Sequence, residues 1–174
     1  MDTTTGRREL IIDANTLIDY LQTDSTILKL ISTYIGQVTI PSPVLDEVKL
    51  LTESDCVNLG LRIIEPSLEQ VIEAVSKRGR LSFPDHLCLI VARPNEWICV
   101  TNDVALRKAC VNEGVRIYWG VEVICLLVER NALPALDAKE IISGIHQVNP
   151  RYINRAVMER AFARIDKNQS DSAD

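Results

Sequence analysis

The chain has 174 residues, is 47% hydrophobic and carries a formal net charge of −5 at pH 7. That size suits a single domain around one core, and the apolar content is too high for a disordered chain. The negative balance excludes a globally basic nucleic-acid binder, but not an enzyme whose acids await a cation and whose basic residues act locally.

Glu9 to Ile12 is a short apolar run ended by Asp13, which predicts a buried strand. Asn15 to Leu21 turns helical, with Leu17, Ile18 and Leu21 at helical spacing. Asp24 or Ser25 can cap a second helix carrying Ile27, Leu28, Leu30 and Ile31, which Gly36 stops. Gln37 to Ile40 predicts a second strand. Pro41 and Pro43 open a helix through Val44, Leu45, Val48 and Leu51. Leu61 to Ile64 reads as an edge strand or a connector, and Ser67 caps a helix through Val75. Ser82 to Asp85 opens another helix, which must end near Pro94. Trp97 to Val100 is a strand, followed by Thr101, Asn102, Asp103 and a helix to Asn112. Val115 to Tyr118 is the last strand, and a helix follows from Gly120 to Glu129.

Alternation of this kind predicts an α/β fold, a three-layer α/β/α sandwich with a mainly parallel central sheet. From residue 131 the pattern is purely helical: Asp137 can cap one helix toward Ile145, and Pro150 starts another ending near Ile165. The reading divides the chain into a domain over residues 8–130, a C-terminal helical extension over 131–166 and a disordered tail over 167–174.

No apolar run approaches a membrane span; the longest, Val121 to Val128, is broken by Glu122. The opening MDTTTGRREL has no long apolar run behind its basic residues and does not read as a signal peptide. The five cysteines form no CxxC pair and sit mostly in apolar contexts, as buried free thiols in a reducing cytoplasm would.

Four acids stand where strands hand over to helices, or on helices facing those handovers: Asp13, Glu47, Asp85 and Asp103. In parallel α/β sheets that rim is where ligands bind. Taken singly, each acid has a plain explanation as a helix cap, a partner of a helix dipole or an exposed helix acid. Taken together they would repel one another unless a cation or protons neutralised them. Clustered carboxylates make a hard-cation site of the kind used in metal-assisted phosphodiester hydrolysis. Arg107 and Lys108, one turn past Asp103, are candidates to guide a nucleic acid, as are Arg7 and Arg8. Arg151, Arg155, Arg160 and Arg164 recur at near-helical spacing, but a solvated face with ion pairs to Glu159 or Asp166 explains them as well.

The stretches IIDANTLIDYL, PSPVLDEVKLL, LSFPDHLCLIVAR and VTNDVALRKAC resemble the acid-bearing motifs of PIN domains, in the same order, across roughly residues 8–130. The resemblance implies a Mg²⁺- or Mn²⁺-dependent ribonuclease with Asp13, Glu47, Asp85 and Asp103 as catalytic and metal-binding acids. It further implies that Asn15 and Thr101 help hold metal, water or phosphate, although hydrogen bonding at a helix start explains both equally. Many such proteins are toxins of toxin–antitoxin pairs, so an RNA substrate, an antitoxin partner, a homodimer and a cytoplasmic location are expected. Helix faces near Ile27 to Ile31 or Val121 to Leu127 are the expected dimer surface. The competing reading is a non-catalytic module of the same fold that binds RNA or protein. A phosphatase of the haloacid-dehalogenase type is disfavoured by Asn15, which stands where a second aspartate is needed. A receiver domain lacks its acid pair, and a dinucleotide site lacks glycines after the first strand.

Overall fold

A computed structural model describes residues 8–171. It contains a five-stranded, all-parallel sheet in the order β3-β2-β1-β4-β5. The strands are β1 (Glu9–Ile12), β2 (Gln37–Pro41), β3 (Arg62–Ile64), β4 (Ile98–Val100) and β5 (Ile117–Tyr118). Ten helices accompany them among the described residues. They are α1 (Ala14–Thr23), α2 (Thr26–Tyr34), α3 (Ser42–Glu47), α4 (Glu53–Leu59), α5 (Leu68–Ser76), α6 (Phe83–Asn95), α7 (Val104–Asn112), α8 (Gly120–Glu129), α9 (Ala135–Val148) and α10 (Arg155–Asp171). The three-layer α/β/α arrangement expected from the alternation is present. Helix α2 packs on β2 and α8, and α8 packs on α9 and α10; on the other side α6 lies against β1 and β4, flanked by α5 and α7.

The central strand β1 is apolar throughout its last three residues, as a strand covered on both faces must be; Leu10, Ile11 and Ile12 have no exposed surface. Each such side chain contributes roughly 1.5–3 kcal/mol by leaving water. The chain crosses from β1 to β2 on one side, then returns from β3 across to β4 on the other. The switch point therefore lies between β1 and β4, with Ile12 paired to Val100 at its carboxyl end.

Several boundaries differ from the sequence reading. Helix α3 stops at Glu47 instead of running through Leu51. Val48 closes it with a short bond to the Leu45 carbonyl, and the chain then turns so that Val48 and Leu51 are both buried. The unexpected α4 follows, held by a capping box in which Thr52 and Asp55 exchange hydrogen bonds. Helix α6 ends one residue past Pro94, where Glu96 takes a left-handed conformation. Helix α9 begins at Ala135, two residues before Asp137. Helix α10 begins at Arg155 rather than Pro150, with the Asn154 side chain accepting from the Val157 N–H. The tail expected from residue 167 continues as helix to Asp171; residues 172–174 lie outside the described residues, as do the opening segment 1–7 and Arg7.

The C-terminal helices share the core of the sheet: Ile142, Ile145, Ile153 and Ile165 belong to the same buried cluster as β1. The helix faces expected to pair two copies are interior instead. Ile27, Leu28 and Ile31 are fully buried, and Val121, Val123, Ile124 and Leu127 are buried beneath α9 and α10 or against α2. They were expected at a surface because the covering helices lie far away in sequence. All five cysteines are free and buried. Among the described residues no helix is long and apolar enough to cross a membrane.

Candidate functional site

Asp13 directly follows β1, and its N–H continues the ladder to the Val100 carbonyl at 3.3 Å. Its side chain caps α1 by accepting the Thr16 N–H on Oδ1 at 2.9 Å. On Oδ2 it accepts the Thr101 hydroxyl at 2.6 Å. Thr101, fully buried after β4, also accepts the Asp103 N–H on Oγ1 at 3.0 Å. Asp103 in turn caps α7 through Oδ1 and the Leu106 N–H at 2.8 Å. One hydroxyl thus links the acids that follow the two strands of the switch point.

Asp85 sits in the first turn of α6, in a capping box with Ser82 that uses only its Oδ2. No donor among the described residues reaches its Oδ1. Glu47 is the exposed last residue of α3. Burial pushes the Asp13 carboxyl up from the ordinary 3.8 to about 6; the bonds from Thr101 and Thr16 pull it down, and the Asp85 charge adds to the rise. Glu47 is raised by partial burial and then by Asp85. The charge of Asp85 therefore bears on both, while Thr101 links Asp13 Oδ2 to the backbone N–H of Asp103.

Among the described residues no three His, Cys, Asp or Glu side chains stand close enough to share one ion. The donor set itself suits a hard divalent cation. It consists of carboxylate oxygens only, with spare acceptor capacity on Asp85; burial, and to a lesser degree the charge of Asp85, raises Asp13 and Glu47, and a cation offsets both effects. Asn15 lies on the exposed side of α1's first turn, next to Asp13. Lys108 is exposed on α7, whereas Arg107 lies with its Cζ 3.4 Å from the Trp119 ring centroid. Arg8 precedes β1, on the amino side of the sheet, and donates to the Tyr118 hydroxyl at 2.9 Å. In the last helix Arg155 pairs with Glu159, as read, while Arg164 pairs with Glu129 and Glu122, and Asp166 pairs with Lys139.

Four polar residues at this rim, Tyr152, Asp19, Asn149 and Asn102, had no role in the sequence reading. Tyr152, between α9 and α10, is raised by burial and then by the charge of Asp103 near its hydroxyl; Asp85 also acts on it. Asp19, buried on α1, accepts from Asn149 Nδ2 at 3.1 Å and from Asn102 Nδ2 at 3.3 Å. Asn102 Oδ1 accepts the Gly120 N–H at 2.9 Å, and its own N–H donates to Thr16 Oγ1 at 3.2 Å. A Cβ on Gly120 would stand 2.8 Å from Asn102 Nδ2 and from Thr16 Cγ2, which is why the residue opening α8 has no side chain. This buried network ties α1, α8 and the end of α9 together directly behind Asp13 and Thr101. Its sequence signal was weak: Asn102 is part of the Thr101–Asp103 stretch, but nothing in the spacing connects it with Asp19 or Asn149.

A family model described as a PIN domain matches residues 9–167 of the chain. Among curated proteins none matches it.

Proposed function

The chain belongs to the PIN-domain family, whose members are generally nucleases, and we propose that it is a divalent-metal-dependent ribonuclease that hydrolyses phosphodiester bonds at Asp13, Glu47, Asp85 and Asp103. The observation that supports this reading is that Asp13 and Asp103 follow the two strands of the switch point, with the charge of Asp85 bearing on Asp13. Thr101 joins Asp13 to Asp103, and the charge of Asp85 reaches both Asp13 and Glu47.

A bound Mg²⁺ or Mn²⁺ supplies Lewis acidity toward the phosphate and makes water a nucleophile near neutral pH. The protein's own part is to hold the oxygen donors. The Asp13 carboxylate is oriented by two hydrogen bonds and isolated from bulk water, so a cation gains strongly by neutralising it. Asp85 and Asp103 are fixed by the helices they cap, and each uses one identified oxygen to do so. No nucleophilic side chain is required. Of the two histidines, His86 is buried on α6 and His146 lies in the last turn of α9 with Nδ1 2.6 Å from the Ile153 carbonyl. Cys88 is buried and its thiol is pushed well up by burial and by the carboxylate charges, which suits packing and not attack.

The test is cleavage of single-stranded and structured RNAs by the purified full chain, in Mn²⁺ or Mg²⁺ and in EDTA, beside the Asp13→Asn, Asp103→Asn double variant. Cutting that needs the metal and is lost in a folded variant supports the reading. Metal-independent RNA binding without cutting would point instead to a non-catalytic module of the same fold.

A further inference from the structure

We infer that the cleft between α8 and α10 is a nucleotide subsite, which seats one unpaired base of a single-stranded RNA against Trp119 while Arg160 takes an adjoining phosphate. The identity of the strand rests on the ribonuclease reading; the subsite rests on its own geometry. The open cleft has a volume of about 280 Å³ and is lined by apolar Val121, Val157 and Ala161 together with Trp119. That is close to the smallest ligand-sized pockets, as one flat ring requires.

Its polar groups are sorted for an anion. Glu122 and Arg164 both line it, but they are engaged with each other at 3.3 Å, and Arg164 also binds Glu129 at 2.6 and 3.1 Å. Arg160 is different. It is exposed, its Nε reaches only the Ala156 carbonyl of its own helix at 3.4 Å, and no carboxylate among the described residues pairs with it. A guanidinium with no carboxylate partner, lining the same cleft as an indole, is chemistry suited to a phosphate and its base.

The cleft is joined to the acid rim through Trp119. This residue follows β5, and the preceding Tyr118 carbonyl accepts the Thr101 N–H at 3.0 Å, beside the link between Asp13 and Asp103. Arg107, one turn along α7 from Asp103, lays its guanidinium against the Trp119 ring, and its buried Nε has no hydrogen-bond partner. The indole is what Arg107 rests on, so the ring is held in place before any ligand arrives. A pre-set aromatic platform stacks any base with little loss of side-chain freedom. A strand whose scissile phosphate meets the acids then extends toward this cleft.

The test measures binding without catalysis: fluorescence anisotropy of a labelled single-stranded uridine hexanucleotide with the full chain in EDTA. We compare the parent with Arg160→Ala, Trp119→Ala and Trp119→Phe, and the strand with its duplex. Arg160→Ala and Trp119→Ala are each expected to weaken binding about tenfold, and Trp119→Phe by no more than about twofold. Arg160→Ala lowers the slope of log affinity against log salt by about 0.7. Should Trp119→Ala not fold, the exposed Arg160 and the conservative Phe variant still decide the matter. Unchanged binding in Arg160→Ala, equal affinity for the duplex, or no binding by the parent overturns the subsite. A parent that binds through these residues but cuts nothing in Mn²⁺ overturns the ribonuclease reading and leaves the subsite standing. A parent that cuts while Arg160→Ala binds normally does the reverse.

Discussion

The Thr101 hydroxyl donates to Asp13 Oδ2 at 2.6 Å while accepting the Asp103 N–H at 3.0 Å. A buried threonine thereby sets the orientation of one acid and the backbone of another. Thr101→Val keeps the shape and removes both bonds. It is expected to cost about 1–3 kcal/mol, because it leaves a buried carboxylate oxygen and an amide short of a partner. Metal-dependent cleavage should fall at least about tenfold, with Thr101→Ser recovering most of it. Thermal melts and initial rates of the three proteins check this; equal rates for Val and Thr would remove Thr101 from the site.

Asp13 gives the site a pH signature when metal is absent. Its carboxyl is raised by burial to about 6 in the folded protein, against 3.8 as the ordinary value. A raised carboxyl favours folding when protonated. Its stabilising contribution is therefore complete below about pH 4 and lost as the pH climbs through about 6. The difference is on the order of 3 kcal/mol. In EDTA at pH 8, Asp13→Asn should melt above the parent, and the gap should close at pH 4. Calorimetry across that range would contradict the assignment if the two melt together at pH 8.

The architecture was legible where apolar runs meet clear punctuation. Strand β1 ends at its acid, and α8 runs from Gly120 to Glu129 as read, because a glycine opens it and charged residues close it. Helix α4 is not evident in the sequence although Thr52 and Asp55 carry the spacing of a capping box, because the apolar spacing of α3 continues to Leu51. The four candidate acids stood out in the sequence because Asp13 and Asp103 follow strands, Asp85 opens a helix and Glu47 lies on the helix after β2. Tyr152 and Asn149 were not, since they reach the rim from a connection whose place is set by the packing of α9 and α10. Asp19 looked like any helix acid until burial and its amide partners distinguished it.

The Asp19–Asn149 contact makes the C-terminal helices part of the domain's stability. Asn149→Ala removes a donor from a buried carboxylate and leaves it with Asn102. A loss of about 1–3 kcal/mol is expected. A fall in the urea midpoint without a change in slope would agree; an unchanged midpoint would mean that water replaces the amide at no cost.

Gly120→Ala probes the same network from the other side. The new methyl would press on Asn102 and Thr16 at 2.8 Å while the Gly120 N–H holds Asn102 Oδ1. Overpacking of this kind costs roughly 1–3 kcal/mol. Because Asn102 adjoins Thr101 and Asp103, cleavage should drop beyond what the loss of folded protein explains. Rates normalised to folded protein, measured by circular dichroism, separate the two effects.

The central claim is that Asp13 and Asp85 take part in holding a divalent cation. Its most direct test is titration of Mn²⁺ into the metal-free full chain, read by the Mn²⁺ electron paramagnetic resonance signal, for the parent and for Asp13→Asn and Asp85→Asn. Saturable binding by the parent, lost or weakened at least about tenfold in each folded variant, is the predicted result. Absence of saturable binding, or binding that both variants retain unchanged, would contradict the account.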